Sequence, residues 1–277
     1  MILEETYLLP NGVRIPKLGI GTWLVPNEEA AAVVRSAVEI GYNHIDTAQA
    51  YENELGVGEG VRTCGLSRDE IFITTKVAAE IKSYDLAACS IDESLGRLGL
   101  EYVDLVIIHC PQPWAEFRGP KRYFAENKLV WRALEDAYDA GKVRAIGVSN
   151  FLVDDLQNVL DGCRIKPMVN QIRLHPGCTP LDVIDFCNHN DILVEAYSPI
   201  AHGEALKDAR LNEIASKYNV SVPQLCIRYT LQLGAVSLPK STNPAHIRSN
   251  SELDFTITEE DMATLCGIGR NGASSDL

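Results

Sequence analysis

The feature that most constrains the fold of this chain is a regular alternation of short apolar segments with segments of helical periodicity. Eight apolar segments read as strands, and they cover residues 17–21, 42–46, 71–77, 103–109, 143–148, 168–172, 192–197 and 235–238. The segment VDLVIIH at 103–109 is almost wholly apolar, as expected of a parallel strand that is covered on both faces. Over 277 residues, this alternation predicts an α/β protein, either a (β/α)8 barrel or a doubly wound sheet.

The segments between these strands carry the apolar periodicity and the end signals of helices. Asn27 stands before the first helix and reads as its N-cap, and Gly41 ends it. Further helices are predicted over residues 53–64, 85–98, 128–140, 153–160, 181–188, 205–218 and 222–233, with shorter ones near 245 and 259. Ahead of the first strand, residues 7–15 predict a β-hairpin with an Asn11-Gly12 turn, which we expect to close one end of the domain.

A barrel is favoured over a doubly wound sheet because the glycine motif of dinucleotide-binding sheets is missing after the first strand. There Gly19-Ile20-Gly21 is followed by Leu24 at the position of the third glycine. The complete spacing occurs at residues 267–272, where no helix is predicted to follow, and we attribute it to chance. The sequence therefore predicts a single (β/α)8 (TIM) barrel domain over residues 1–277, with the hairpin at its bottom.

The charge of the chain excludes several classes of partner. Its 25 basic and 38 acidic residues give a net charge of −13, which repels nucleic acid and anionic membranes. No apolar run is long enough to span a membrane, and the N-terminus lacks the features of a secretory signal. The eight cysteines show neither CxxC pairs nor zinc spacing. We therefore expect a cytoplasmic protein with reduced cysteines, and separately we expect it to be a monomer.

Polar residues close every predicted strand from the second to the eighth. These residues are Asp46, Lys76, His109, Ser149 with Asn150, Gln171, Tyr197 with Ser198, and Lys240 with Ser241. One such residue means little, because polar residues commonly end strands, but seven strand ends in succession indicate a shared role. The carboxyl ends of barrel strands converge on one face, and that face holds the active site in barrel enzymes.

Lys76, Asp46 and Tyr51 are the strongest catalytic candidates. A lysine inside an apolar strand such as IFITTKV needs a partner, and Asp46 at the neighbouring strand end can supply it. A structural ion pair is an open alternative. Tyr51 follows Asp46 by five residues, and we expect the ammonium of Lys76 to lower the pKa of this phenol toward neutral pH. The three residues then predict a tuned general acid.

His109 closes the strand 103–109, either as a structural residue or as a donor that orients a carbonyl oxygen opposite Tyr51. The histidines show no HxH or HExxH spacing, so we expect no metal site. Trp23 and Trp114 are predicted to wall the substrate pocket. For Trp114, packing within its own loop, residues 110–124, is an equal alternative.

Seven stretches of the chain resemble the aldo-keto reductase family, in particular its bacterial-type members such as the aldehyde reductases. The stretches are GYNHIDTAQAYENE, ITTK, VDLVIIHCP, GVSNF, NQI, AYSP and LPKS, and the match runs from about residue 7 to 266. The resemblance implies a (β/α)8 barrel that uses NADPH to reduce aldehydes or ketones. It assigns the proton donor to Tyr51, the tuning of that donor to Lys76 and Asp46, and the orientation of the carbonyl group to His109.

The resemblance also implies which residues bind the cofactor. Tyr197 should stack on the nicotinamide, and Ser149, Asn150 and Gln171 should hold its carboxamide. The remaining cofactor residues are Asp46 and the cleft residues Gly21, Thr22, Trp23, Ser198, Pro199 and Ile200, then Lys240, Ser241 and Thr242 at the adenosine phosphate, with His246 and Asn250 after them.

The phosphate-binding segment departs from the family pattern. His246 stands where the family commonly has an arginine, Arg248 follows two residues later, and Ser249 replaces a glutamate, whereas Asn250 matches. Losing the guanidinium weakens recognition of the 2′-phosphate of NADPH. We therefore expect NADPH to be used, but with a reduced preference over NADH.

Two other functions stay open from the sequence. One is a nicotinamide-binding sensor or scaffold of the same fold, and the other is a metal-dependent barrel hydrolase, for which the sequence shows no ligand cluster. The short segment 267–277 after the last strand and helices predicts an open pocket. Small aldehydes, α-dicarbonyls or keto-sugars would fit such a pocket.

Overall fold

Eight parallel strands form one sheet in the order of the chain in the computed structural model, which describes residues 1–269. These eight strands are β3 (Ile20–Gly21), β4 (His44–Asp46), β5 (Phe72–Val77), β6 (Val103–Ile108), β7 (Val143–Ser149), β8 (Val169–Arg173), β9 (Leu193–Tyr197) and β10 (Val236–Leu238). Two antiparallel strands, β1 (Thr6–Leu8) and β2 (Arg14–Pro16), precede them and form a separate hairpin. The two edges of the β3–β10 sheet meet, since Gly19 N donates to Ser237 O over 3.0 Å and Ser237 N donates to Lys17 O over 2.9 Å. The predicted (β/α)8 barrel is confirmed.

Ten α-helices lie within residues 1–269, and those between the barrel strands pack on its outer surface. They are α1 (Asn27–Ile40), α2 (Glu54–Thr63), α3 (Tyr84–Leu98), α4 (Phe124–Asp139), α5 (Val153–Leu160), α6 (Leu181–His189), α7 (Ala209–Lys217), α8 (Val222–Gln232), α9 (Pro244–Ser249) and α10 (Glu259–Gly267). α1 ends at Gly41, whose φ of 112° suits glycine. The predicted stop at this residue is therefore correct.

The contact between α1 and α2 is close because glycines of α2 face α1. A Cβ atom at Gly56 would lie 2.0 Å from the carbonyl oxygen of Asn27, and one at Gly60 would lie 2.6 Å from Cβ of Val34. The side chain of Asn27 accepts a hydrogen bond from Gly56 N over 2.9 Å. The predicted N-cap role of Asn27 is therefore wrong: Pro26 is the N-cap, and the Asn27 side chain joins two helices instead.

The hairpin β1–β2 closes the end of the barrel at which the strands begin. Leu9 and Ile15 are buried against residues near the starts of several strands, including Phe72 and Ala145. The turn residue Asn11 donates to the carbonyl oxygen of Arg144, at the start of β7, over 2.8 Å. The bottom of the barrel is therefore capped by the hairpin, as predicted.

The segment after β9 differs from its prediction as one helix over residues 205–218. A 3-10 segment, Ala201–Lys207, precedes α7, and Asp208 between them has extended backbone angles. Its carboxylate accepts a hydrogen bond from Arg210 N over 2.8 Å and so caps α7. α4 also begins at Phe124, four residues before the predicted start at 128.

No helix within residues 1–269 combines the length and the apolarity needed to cross a membrane. The predicted C-terminal segment 267–277 and the glycine spacing 267–272 extend beyond the described residues.

Candidate active site

Lys76, Asp46 and Tyr51 meet at the carboxyl end of the barrel strands. Lys76 lies on β5 with a side chain that is 0% exposed, and Asp46 ends the neighbouring strand β4. The Lys76 ammonium donates to Asp46 Oδ1 over 2.5 Å, to Thr47 O over 2.8 Å and to the Tyr51 hydroxyl over 3.2 Å. These three bonds use all the protons of the ammonium. Burial works against its charge, but Asp46 and Tyr51 outweigh this effect, and the pKa of Lys76 is raised.

The pKa of Tyr51 is higher than the sequence analysis predicted. Burial raises the pKa of Tyr51, the charge of Lys76 lowers it, and the Asp46 carboxylate raises it again, with a net rise above the ordinary value. The expectation that Lys76 brings this pKa toward neutral pH is therefore wrong, because enclosure of the phenol outweighs the ammonium. Tyr51 consequently carries its proton at neutral pH, which is the state that a proton donor requires.

His109 directly follows β6 and faces the same region as Tyr51. The two ring centroids are 5.5 Å apart at an interplanar angle of 74°. Burial, with a smaller effect of the Lys76 charge, lowers the pKa of His109 well below its usual value, so the imidazole is neutral near pH 7. Its Nδ1 is buried and has no hydrogen-bond partner among residues 1–269. A neutral imidazole still has one N–H to offer to a substrate oxygen.

Trp114 extends this aromatic group outward. Its ring centroid lies 5.1 Å from that of His109 and 5.5 Å from that of Phe117. Trp114 therefore packs within its own loop, residues 110–124, and also contacts His109, while its place in the wall of a substrate pocket stays a prediction. Trp23 lies 5.1 Å from His202, ring to ring, and is 43% exposed.

Ser149, Asn150, Gln171 and Tyr197 lie on neighbouring strand ends. Asn150, at φ 62°, donates to His109 O over 3.0 Å and to Ser149 Oγ over 3.0 Å, and it accepts a bond from the Tyr197 hydroxyl over 2.7 Å. The amide nitrogen of Gln171 donates to Asp46 Oδ2 over 2.8 Å. These four residues thus adjoin the group formed by Asp46, Tyr51, Lys76 and His109.

The remaining predicted cofactor residues lie at or after the carboxyl ends of β3, β9 and β10. Thr22 Oγ1 donates to Asp46 O over 3.0 Å, and Gly21 N donates to Pro239 O over 3.0 Å, next to Lys240. Ser198, Pro199 and Ile200 follow β9 and precede His202, the partner of Trp23. Lys240 and Thr242 are exposed, and Ser241 is half-buried.

Two predicted cofactor residues lie on α9 and directly after it. His246 is exposed on α9, and Asn250 is buried just after it. Arg248 lines a surface cavity of about 400 Å³ between α1 and α9, together with Glu39 and Glu252. Arg248 therefore shares this cavity with two carboxylate side chains.

The sequence analysis missed two residues of this region. Glu195 on β9 is fully buried and accepts a bond from Gln171 Nε2 over 2.9 Å. The argument that singled out Lys76, a charge inside an apolar strand, applies equally to Glu195 in ILVEAY and could have found it. His202 was also missed, and no signal in its neighbouring sequence distinguishes it. Within residues 1–269, no group of three or more His, Cys, Asp or Glu side chains is arranged to hold a metal ion.

Comparisons of the sequence and of the structure with known proteins agree on one family. A model of the aldo/keto reductase family matches residues 17–270. The glyoxal reductase of Bacillus subtilis (strain 168) is 42% identical over 271 residues, covering 97% of this chain and 94% of that protein. An aldo/keto reductase crystal structure from Brucella melitensis has a TM-score of 0.88 and 37% identity, covering 95% of this chain and 99% of that one. A Bombyx mori aldo-keto reductase in complex with NADP has a TM-score of 0.87 and 32% identity, covering 97% and 94%. This chain therefore belongs to the aldo/keto reductase family of oxidoreductases.

Proposed function

We propose that the protein is an NADPH-dependent carbonyl reductase in which Tyr51 gives its proton to the oxygen of an aldehyde or ketone. The observation that carries this proposal is the position of the Lys76 ammonium, 2.5 Å from Asp46 Oδ1 and 3.2 Å from the Tyr51 hydroxyl. As Tyr51 loses its proton, the negative charge that develops on its oxygen meets an ammonium already in contact with it. Asp46 keeps that ammonium charged and fixed in place.

His109 orients the carbonyl group in this proposal. Because its imidazole is neutral, its single N–H donates to the substrate oxygen and does not compete with Tyr51 as an acid. Trp114, stacked edge-on against His109, forms the adjoining wall and limits the approach of water. Trp23 is proposed as the opposite wall.

The polar groups at the barrel mouth fit a nicotinamide. Its carboxamide both donates and accepts hydrogen bonds, and Ser149, Asn150 and Gln171 offer hydroxyl and amide groups at adjacent strand ends. Tyr197, fixed by its hydroxyl to Asn150, would support the ring from one face. When bound, the reduced nicotinamide supplies the hydride. The residues of this chain bind it, orient it and provide the proton.

NADPH is the proposed cofactor, since Lys240, Ser241 and Thr242 offer a cation and hydroxyl groups for a phosphate. The Bombyx mori relative was solved in complex with NADP. The exposed His246 lacks the fixed charge of an arginine, which supports a weakened preference over NADH. The proposed substrates are small aldehydes, α-dicarbonyls and keto-sugars, in line with the name of the Bacillus subtilis glyoxal reductase.

The test is oxidation of NADPH in the presence of glyoxal and of a simple aldehyde, followed by absorbance. Tyr51→Phe removes the proton donor with little change in volume, and we expect kcat to fall at least about a hundredfold. Tyr84→Phe is a matched control, because the Tyr84 hydroxyl bonds Asp136 on the exposed surface. Turnover by Tyr51→Phe near that of the control would refute the assignment of the acid.

The same assays also test the alternative that the protein is a nicotinamide-binding sensor or scaffold. Tight NADPH binding with no turnover of any carbonyl compound would favour that alternative. We also propose that residues 1–277 form a single domain and act as a cytoplasmic monomer.

A further inference from the structure

Glu195 is a buried carboxyl group beneath the proposed active site. It has no role in the proposed reaction as described so far. It lies in the middle of β9, paired in register with Gln171 on β8 and with Val236 on β10, and its side chain is 0% exposed. Inside the barrel it faces His44 on β4, whose Nε2 is 3.9 Å from Glu195 Oε1. A carboxyl group in such a place needs either a cation or a proton.

The amide nitrogen of Gln171 joins Glu195 to the catalytic group. One Gln171 N–H donates to Asp46 Oδ2 over 2.8 Å, and the other donates to Glu195 Oε2 over 2.9 Å. The chain of hydrogen bonds thus runs from Tyr51 through Lys76, Asp46 and Gln171 to Glu195. Because both N–H groups are used, the Gln171 amide is fixed in one orientation, with its oxygen left for other contacts.

The charges around Glu195 favour its neutral form. Lys76 provides one positive charge, and Asp46, which it contacts directly, already balances it. His44 provides none, since burial lowers its pKa to about 3. Glu195 Oε1 has no hydrogen-bond partner among residues 1–269. Consistent with this, burial and then the Asp46 charge raise the pKa of Glu195 to about 8.

We propose that Glu195 is a positioning residue that carries a proton at neutral pH and, through Gln171, presents the Gln171 amide oxygen to the carboxamide of the nicotinamide. This inference rests on the proposed function. Protonated Glu195 accepts one Gln171 N–H without adding a second negative charge beside Asp46. Once ionised, it would leave the group with one uncompensated buried charge, which would draw the amide away from Asp46 and disturb both Lys76 and the cofactor.

Two variants of Glu195 distinguish the effect of its proton from the effect of its hydrogen bond to Gln171. Glu195→Gln keeps an oxygen that accepts from Gln171 but cannot ionise, and we expect kcat/KM near pH 7 within about threefold of wild type. Glu195→Leu removes the acceptor in a strand that already carries Leu193, and we expect kcat/KM to fall at least about tenfold, with weaker NADPH binding. In a double-mutant cycle with Gln171→Leu, the two losses should be strongly non-additive, because Glu195 acts through Gln171.

The pH dependence is the decisive kinetic readout. In wild type, kcat/KM should fall as the pH rises through about 8, where Glu195 ionises. In Glu195→Gln, this fall should disappear. A direct readout is the infrared band of a protonated carboxyl group, expected in the wild type at pH 7 and absent both at high pH and in Glu195→Gln.

These measurements also distinguish failure of the inference from failure of the proposed function. If the wild type reduces no carbonyl compound, the proposed function fails, yet the infrared band and the affinity for NADPH, read from tryptophan fluorescence, still test Glu195. Identical pH profiles for wild type and Glu195→Gln, no difference in the infrared band, or additive effects in the cycle with Gln171→Leu would each overturn the inference. If Glu195→Leu fails to fold, Glu195→Gln alone carries the pH and infrared tests.

Discussion

Replacement of Lys76 by methionine tests how much the buried ion pair between Lys76 and Asp46 contributes to the stability of the barrel. Methionine matches the length and volume of the lysine stem, so Lys76→Met removes the ammonium without opening a large cavity. Three hydrogen bonds are lost with it, to Asp46, to Thr47 O and to Tyr51. Asp46 is 3% exposed and keeps Gln171 as a partner, but its negative charge is then unbalanced.

The expected loss of stability follows from that unbalanced charge. Removing one partner of a buried ion pair typically destabilises a protein by about 3–5 kcal/mol, whereas replacing both partners can be nearly neutral. The double variant Asp46→Asn/Lys76→Met retains the shape of the pair without its charges. It should therefore recover most of the stability lost in Lys76→Met, although both variants should lack reductase activity.

Urea denaturation followed by circular dichroism measures these free energies of unfolding. The set is wild type, the two single variants and the double variant, all at pH 7. A loss below about 1 kcal/mol for Lys76→Met, or a double variant whose loss equals the sum of the single losses, would show that the pair does not carry the charge balance described here.

Three further predictions concern other parts of the molecule. Gly58→Ala should lower the melting temperature by several degrees, because its Cβ would lie 2.1 Å from Leu98 O, whereas Gly96→Ala, with nothing within 4 Å, should leave it unchanged or raise it slightly. The pKa of His44 is about 3 when folded and near 6.5 when unfolded, so the unfolded chain binds more protons between these values. The contribution of His44 to stability should therefore be complete above pH 6.5 and fall by about 1.4 kcal/mol per unit below it. Glu195, whose pKa is raised to about 8 in the folded protein, changes stability in the opposite direction over part of this range. The His44 contribution is therefore measured as the difference between wild type and His44→Gln in urea midpoints at pH 5 and at pH 7, and wild type should be less stable relative to His44→Gln at pH 5 than at pH 7. The ratio of kcat/KM for NADPH to that for NADH should stay below about a hundredfold and increase in His246→Arg, and a higher ratio in the wild type would contradict the role given to His246.

The barrel could be predicted because its signals are local and repeated. Apolar strands such as VDLVIIH need only their own composition to be recognised, and the polar residues that end them indicate the mouth of the barrel by topology alone. Asp46, Lys76 and His109 were identified in this way. The side chain of Asn27 was misread because its partner, Gly56, lies on another helix, and no local pattern records such a contact.

The electrostatics of the site could not be predicted from residue types. The sequence indicated an ammonium beside Tyr51, and from it a lowered pKa for that phenol. The direction of the pKa shift depends on how deeply the phenol is enclosed, which is a property of the packed barrel. Here burial turns the expected decrease in the pKa of Tyr51 into an increase. Glu195 illustrates the same point, since its proton depends on Asp46 and Gln171, which come from two other strands.

The hairpin at the bottom of the barrel has a consequence for proton movement. Leu9 and Ile15 fill the lower opening with hydrocarbon, and Asn11 fastens the turn to the first residues of β7. These apolar side chains oppose the entry of water from below to the carboxyl groups of the interior. In the proposed reaction, we therefore expect each proton that Tyr51 gives up to be replaced through the upper opening of the barrel, which is also the opening that the substrate uses.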